Sequence, residues 1–127
     1  MTSALEGVRV LIVEDEFLVA TLIEDVLKSA GCVVSDPIPR VAEALDAVDH
    51  ETYDVAVLDI NLGGDRIDPV ADALCQRNVP FMFVTGYTEN ALPGELAERP
   101  RLCKPFKVGE LLGTLCRLVK SSVLKPR

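Results

Sequence analysis

Five short apolar runs divide the chain at regular intervals. They cover residues 8–13, 32–35, 55–58, 79–85 and 102–103. Runs that are apolar at consecutive positions are typical of strands buried on both faces of a sheet. Most of the intervals between them carry amphipathic helical patterns, so we expect the order strand then helix to repeat five times.

The clearest helical pattern follows the first run. Its apolar stripe has steps of three and one residues, and Gly31 is expected to end the helix. A second helix repeats this spacing from Val41 to Val48. The stripe of the first helix consists of Val19, Leu22, Ile23, Val26, Leu27 and Ala30.

Later helices are marked by their ends as well as by their spacing. In the third helix Asp68 is the predicted N-cap before Pro69, and Asn78 can close the helix. The last helix should start near Val108 and end before a polar tail at residues 121–127. Pro and Gly interrupt residues 86–100, where we expect only a short or mobile helix.

Alternating strands and helices predict an α/β fold. Parallel strands need helical crossovers, so the pattern favours a doubly wound five-stranded parallel sheet with helices on both faces. No linker, repeat or low-complexity segment divides the 127 residues. We therefore expect one domain over residues 1–127, with its core at about 8–120 and no output domain.

The charge balance argues against two kinds of partner. Twenty acidic and thirteen basic residues give a formal net charge of −7, which disfavours binding to nucleic acid or to an anionic membrane surface.

No signal peptide is evident, and no apolar run approaches the ~18 residues that span a bilayer, so we expect a cytoplasmic protein. The four scattered cysteines are interpreted as reduced thiols, with two disulfides as the alternative.

Charged side chains stand where the apolar runs end. Glu14 and Asp15 close the first run, Asp59 closes the third, and Lys104 closes the last. In a parallel sheet these ends meet at one edge, where ligands of doubly wound folds bind. Three carboxylates and one ammonium suit a divalent cation and a transferable phosphoryl group, so we expect Asp59 to accept phosphate.

Four segments together resemble the receiver domains of bacterial two-component response regulators, and the resemblance spans nearly the whole chain. The segments are Leu11-Ile12-Val13-Glu14-Asp15-Glu16, Leu58-Asp59-Ile60-Asn61, Val84-Thr85-Gly86 and Lys104-Pro105-Phe106. The resemblance implies the flavodoxin-like, or CheY-like, strand order 2-1-3-4-5. It also implies a stand-alone response regulator that is not an enzyme.

The resemblance assigns a role to each residue of the site. Asp59 would be the phosphoacceptor, and Mg²⁺, or alternatively Mn²⁺, would be held by Glu14, Asp15, Asp59 and the backbone carbonyl of Asn61. The phosphoryl group would come from a sensor histidine kinase or a histidine phosphotransfer protein. An unidentified downstream protein would read the result, and the receiver would be a monomer or a weak dimer.

The predicted switch departs from the common receiver pattern. Thr85 and Lys104 would contact the phosphoryl group, but Arg101 stands where many receivers have a switch aromatic. We expect Tyr87 to replace that aromatic. The segment Phe83-Val84-Thr85-Gly86-Tyr87 is similar to the aromatic-x-Thr-Gly-Tyr signature of an atypical subfamily known mainly from alphaproteobacteria.

Three other functions remain open from the sequence. The receiver could serve as a phosphate sink, or as a pseudo-receiver that docks partners without phosphorylation. A haloacid-dehalogenase-like phosphatase is a third alternative, but such enzymes favour an Asp two residues after the nucleophile, where this chain has Asn61. The only histidine, His50, is interpreted as a structural residue at the end of the second helix.

Overall fold

The computed structural model describes residues 4–62, 64–86 and 99–124. Its helices are α1 (Phe17–Ser29), α2 (Val41–His50), α3 (Asp68–Gln76) and α4 (Val108–Leu124). Its strands are β1 (Arg9–Val13), β2 (Val33–Val34), β3 (Val55–Asp59), β4 (Asn61–Leu62), β5 (Asp65–Arg66), β6 (Phe81–Thr85) and β7 (Arg101–Cys103). In the part of the chain that the structure describes, no helix is both long and apolar enough to cross a membrane.

Five of the strands form one parallel sheet. Its order is β2-β1-β3-β6-β7, which corresponds to the predicted order 2-1-3-4-5 because β4 and β5 lie outside this sheet. The register places Val13 beside Leu58, Asp59 beside Val84, and Thr85 beside Cys103. The carboxyl ends of β1, β3, β6 and β7 therefore lie next to one another.

The sheet has an apolar core on each face, as the continuous strand runs predict. Alternate strand residues such as Leu11, Leu58 and Phe83 pack with α2 and α3. The intervening residues, such as Ile12 and Val57, pack with α1 and α4. Because side chains of successive strand residues point to opposite faces, each strand contributes to both cores, and the helices on both faces are confirmed.

The predicted end of α1 is confirmed, but one edge of its stripe is not. Gly31 has a left-handed φ of +93° and donates its N–H to the carbonyl of Lys28, a conformation that favours glycine. The buried residues of α1 are Ala20, Ile23 and Leu27, whereas Leu22 is exposed. Leu22 lies at the edge of the stripe, on the side that faces solvent.

Other details of the fold also differ from the sequence prediction. Asp68 is the first residue of α3 rather than its N-cap, since Ile67 takes the cap position and the Asp68 carboxylate pairs with Arg66. The last helix continues to Leu124 instead of ending before residue 121. The antiparallel pair of β4 and β5, which was not predicted, follows the phosphoacceptor candidate directly.

The short helix expected within residues 86–100 falls largely on residues 87–98, which lie outside the described residues.

Candidate functional site

The site lies at the edge where four strands of the parallel sheet end. Glu14 and Asp15 follow β1, Asp59 and Thr85 are the last residues of β3 and β6, and Lys104 follows β7. The backbone N–H of Lys104 donates to the Thr85 carbonyl at 2.7 Å, which fixes the lysine next to β6. The tertiary structure thus brings together all five of these predicted residues.

The carboxylates of Glu14, Asp15 and Asp59 form a compact acidic cluster. One oxygen from each lies within 4.8 Å of the others. Glu14 and Asp59 are only 2% exposed, whereas Asp15 is exposed. Three carboxylate oxygens open to water on one side are the donor set that Mg²⁺ prefers, because this cation retains several of its waters, so the residues present fit a divalent cation.

Asp59 is held by the loop that follows it. The backbone N–H of Asn61 donates to Asp59 Oδ1 at 3.1 Å. The other oxygen, Oδ2, lies 3.4 Å from Lys104 Nζ. The loop therefore fixes the orientation of the carboxylate, and the role predicted for the Asn61 carbonyl stays a prediction.

Lys104 is bound more closely by two glutamates than by Asp59. Its Nζ lies 2.8 Å from Glu14 Oε1 and 2.9 Å from Glu16 Oε1. The contact with Glu14 is an ion pair without the alignment of a hydrogen bond, since Oε1 has no hydrogen-bond partner. The second Glu14 oxygen accepts the backbone N–H of Glu16 at 3.0 Å.

The crowding of carboxylates changes the acidity of the cluster. Burial, followed by a hydrogen bond and the charge of Glu14, raises the pKa of Asp59 to about 7, although Lys104 and the Asn61 N–H oppose the change. Burial by itself would lower the pKa of Lys104, but Glu14, Glu16 and Asp59 together raise it above its ordinary value. At neutral pH the cluster without a cation therefore leaves Asp59 only partly ionised, and the positive charge of a bound cation would favour its ionised form.

The predicted switch residues are only partly described. Thr85 is fully buried at the end of β6. Arg101 is half-buried at the start of β7, opposite Phe83 in register. Tyr87 lies outside the described residues.

His50 is the last residue of α2, as predicted, but it has an acidic neighbour that the sequence reading did not identify. Its Nδ1 lies 2.8 Å from the Asp46 carbonyl and 3.3 Å from the Asp46 carboxylate. Both contacts lie within α2, and they raise the pKa of His50.

Glu16 is the site residue that sequence reasoning missed. It occupies the N-cap position of α1, yet its side chain makes no capping hydrogen bond and contacts Lys104 instead. The available signal was its position directly after Glu14 and Asp15 in an acidic run.

A family model for the response regulator receiver domain matches residues 10–115, which is most of the chain. The chain belongs to the response regulator receiver domain family. It is therefore a CheY-like receiver of the kind found in two-component signalling, a family whose members typically signal without catalysing a reaction on a substrate.

Individual relatives agree with this assignment. The receiver is 34% identical to the phyllosphere-induced regulator PhyR of Methylorubrum extorquens over 78% of this chain and 39% of that protein. It is 36% identical to the solution structure of SdrG from Sphingomonas melonis Fr1, with a TM-score of 0.75 over 96% of this chain and 99% of that chain. The receiver spans between 39% and 53% of the length of the curated relatives it matches.

One solved relative contains a metal ion. The receiver domain of the sensor histidine kinase PA1611 from Pseudomonas aeruginosa PAO1 has magnesium coordinated in its active site cleft. It is 27% identical to this receiver, with a TM-score of 0.74, over 90% of this chain and 98% of that chain. Receiver domains thus bind Mg²⁺ in this cleft, and the present chain has an acidic cluster at the corresponding edge of its sheet.

Proposed function

We propose that this receiver accepts a phosphoryl group on Asp59 from a sensor histidine kinase or a histidine phosphotransfer protein. The observation that carries the proposal is the position of Asp59: a buried carboxylate at the end of β3, oriented by Asn61 and flanked by Glu14 and Lys104. A carboxylate buried only to stabilise the fold has no need of a second buried carboxylate beside it, since each raises the cost of the other.

The transfer is a substitution at phosphorus. A carboxylate oxygen of Asp59 attacks the phosphorus atom and forms an acyl phosphate, while the bond from phosphorus to the donor nitrogen breaks. The donor imidazole keeps the electron pair of that bond. With acetyl phosphate as donor, the bond to the acetate oxygen breaks and acetate leaves.

The acidic cluster would hold the Mg²⁺ that this transfer requires. Glu14, Asp15 and Asp59 would provide carboxylate oxygens, and the Asn61 carbonyl would complete the protein ligands. When bound, the cation would neutralise charge on the cluster and on the incoming phosphoryl group. Three carboxylates and one ammonium leave two negative formal charges, which one divalent cation balances.

The response to phosphorylation would pass through Thr85 and Lys104. Both would contact the new phosphoryl oxygens, the hydroxyl by a hydrogen bond and the ammonium by an ion pair. Arg101 replaces the usual switch aromatic, and we assign that role to Tyr87 within the Phe83-Val84-Thr85-Gly86-Tyr87 signature. The identities of 36% with SdrG and 34% with PhyR support the receiver assignment on which this proposal builds.

The phosphorylated receiver would change its contacts with a downstream protein or act as a phosphate sink. We also propose that the receiver acts as one domain over residues 1–127, with the core at about 8–120. It would be a monomer or a weak dimer, and it would have no enzymatic activity.

Intact mass spectrometry after incubation with acetyl phosphate and Mg²⁺ tests the phosphoacceptor. We expect wild type to gain one phosphoryl group, and we expect no gain for Asp59→Asn or for wild type with a chelator. Asp72→Asn on the exposed side of α3 is the matched control and should behave as wild type. No mass gain in wild type would favour the pseudo-receiver, and steady hydrolysis of phosphate esters would favour the phosphatase.

A further inference from the structure

Lys104 has a counter-ion that the proposed phosphoryl transfer does not use. Glu16 Oε1 lies 2.9 Å from Lys104 Nζ, compared with 3.4 Å for Asp59 Oδ2. The Lys104 side chain is 12% exposed, whereas the Glu16 side chain is 61% exposed. Glu16 therefore lies on the solvent side of the ammonium, and Asp59 lies on the buried side.

The backbone of Glu16 is fixed by two hydrogen bonds. Its N–H donates to Glu14 Oε2, and its carbonyl accepts the N–H of Ala20 at the start of α1. Because both backbone groups are engaged, the side chain extends from a fixed point toward Lys104. The 2.9 Å contact with Lys104 Nζ then holds the carboxylate.

The neighbouring carboxylates have other tasks in the proposed reaction. Glu14 and Asp59 belong to the acidic cluster that fits a divalent cation, so a bound cation would compete with Lys104 for them. Glu16 lies outside that cluster. It is therefore the carboxylate that remains available to Lys104 when the cluster holds a cation.

From these contacts we infer that Glu16 is a positioning residue that retains Lys104 at the mouth of the cleft and competes with the phosphoryl group for the ammonium. The inference rests on the proposed phosphorylation of Asp59. Phosphorylation must draw Lys104 away from Glu16, so the strength of this ion pair sets how readily the phosphorylated form is reached. Loss of Glu16 should favour that form.

Binding of beryllofluoride, a phosphoryl mimic, in the presence of Mg²⁺ tests this role without turnover. Titration followed by NMR should show Glu16→Gln binding about two- to fivefold more tightly than wild type, the range expected for an ion pair with one exposed partner. Glu51→Gln removes the same charge from an exposed residue after α2, at the opposite end of the sheet, and should match wild type.

A double-mutant cycle separates the contact from the general effect of charge. In the Lys104→Met background, Glu16→Gln should give little or no gain, because the ammonium that Glu16 retains is absent. An equal gain in both backgrounds would overturn the inference, since it would show that Glu16 acts only through the field of the cleft. Unchanged binding by Glu16→Gln would also overturn it.

The wild-type titration distinguishes failure of this inference from failure of the proposed function. If wild type binds no beryllofluoride, both are overturned. If wild type binds beryllofluoride and Glu16→Gln binds it with the same affinity, the phosphoacceptor assignment stands and only the role inferred for Glu16 is overturned.

Discussion

Asp59→Asn should stabilise the cation-free protein at neutral and higher pH. In the folded protein the pKa of Asp59 is raised to about 7 by burial and by Glu14, whereas an unfolded aspartate has a pKa of about 3.9. Below about pH 4 the carboxyl group is protonated in both states and carries no cost. As the pH rises toward 7, the unfolded state loses this proton first, so folding becomes progressively less favourable.

The size of the effect follows from the difference in pKa. About three pKa units at about 1.4 kcal/mol each give an upper limit of about 4 kcal/mol. The cleft is open to water at Asp15, and solvent screening reduces the cost, so we discount it to about 2 kcal/mol. Asparagine cannot ionise and avoids this cost above pH 7.

Urea unfolding in the presence of a chelator measures the free energy of unfolding at pH 4.5 and pH 8. We expect Asp59→Asn to exceed wild type by about 2 kcal/mol at pH 8 and to differ little at pH 4.5. Asp72→Asn, which removes an exposed carboxylate from α3, should show no such difference. An equal gain at both pH values, or no gain at pH 8, would refute the cost assigned to the ionised Asp59.

Three further predictions concern the core, one turn and the switch. Leu27→Ala, at a fully buried position of α1, should lower the free energy of unfolding by about 2–5 kcal/mol. Leu22→Ala, at the exposed edge of the same helix, should change it by only about 0.5 kcal/mol. Urea unfolding of both variants measures the difference. Gly31→Ala should cost about 1–3 kcal/mol in the same assay, because φ is +93° and the new Cβ would lie 3.2 Å from Glu6. Tyr87→Ala should still gain phosphate by mass but lose the change in NMR spectrum; a full spectral response would rule out Tyr87 as the switch aromatic.

The sequence by itself indicated the five strands of the parallel sheet and the residues of the candidate site. Continuous apolar runs at residues 55–58 and 79–85 are typical of strands buried on both faces, and with the helical patterns between them they favoured a parallel sheet covered by helices. The strand order was less directly encoded and came from the family resemblance. Glu14, Asp15, Asp59 and Lys104 stood out together because charges at the ends of apolar strands are costly unless they share a role, whereas Thr85 was assigned through the family resemblance.

Only the tertiary structure decided which side chains of the site contact one another. Glu16 and Lys104 are separated by 88 positions, and the sequence holds no local signal that their side chains meet at 2.9 Å. Leu22 is exposed, and Ile67 rather than Asp68 takes the cap position of α3. Both features depend on how each helix lies against the sheet. Periodicity encodes which face of an element is apolar, whereas distances between side chains depend on strand register and on how the loops end the strands.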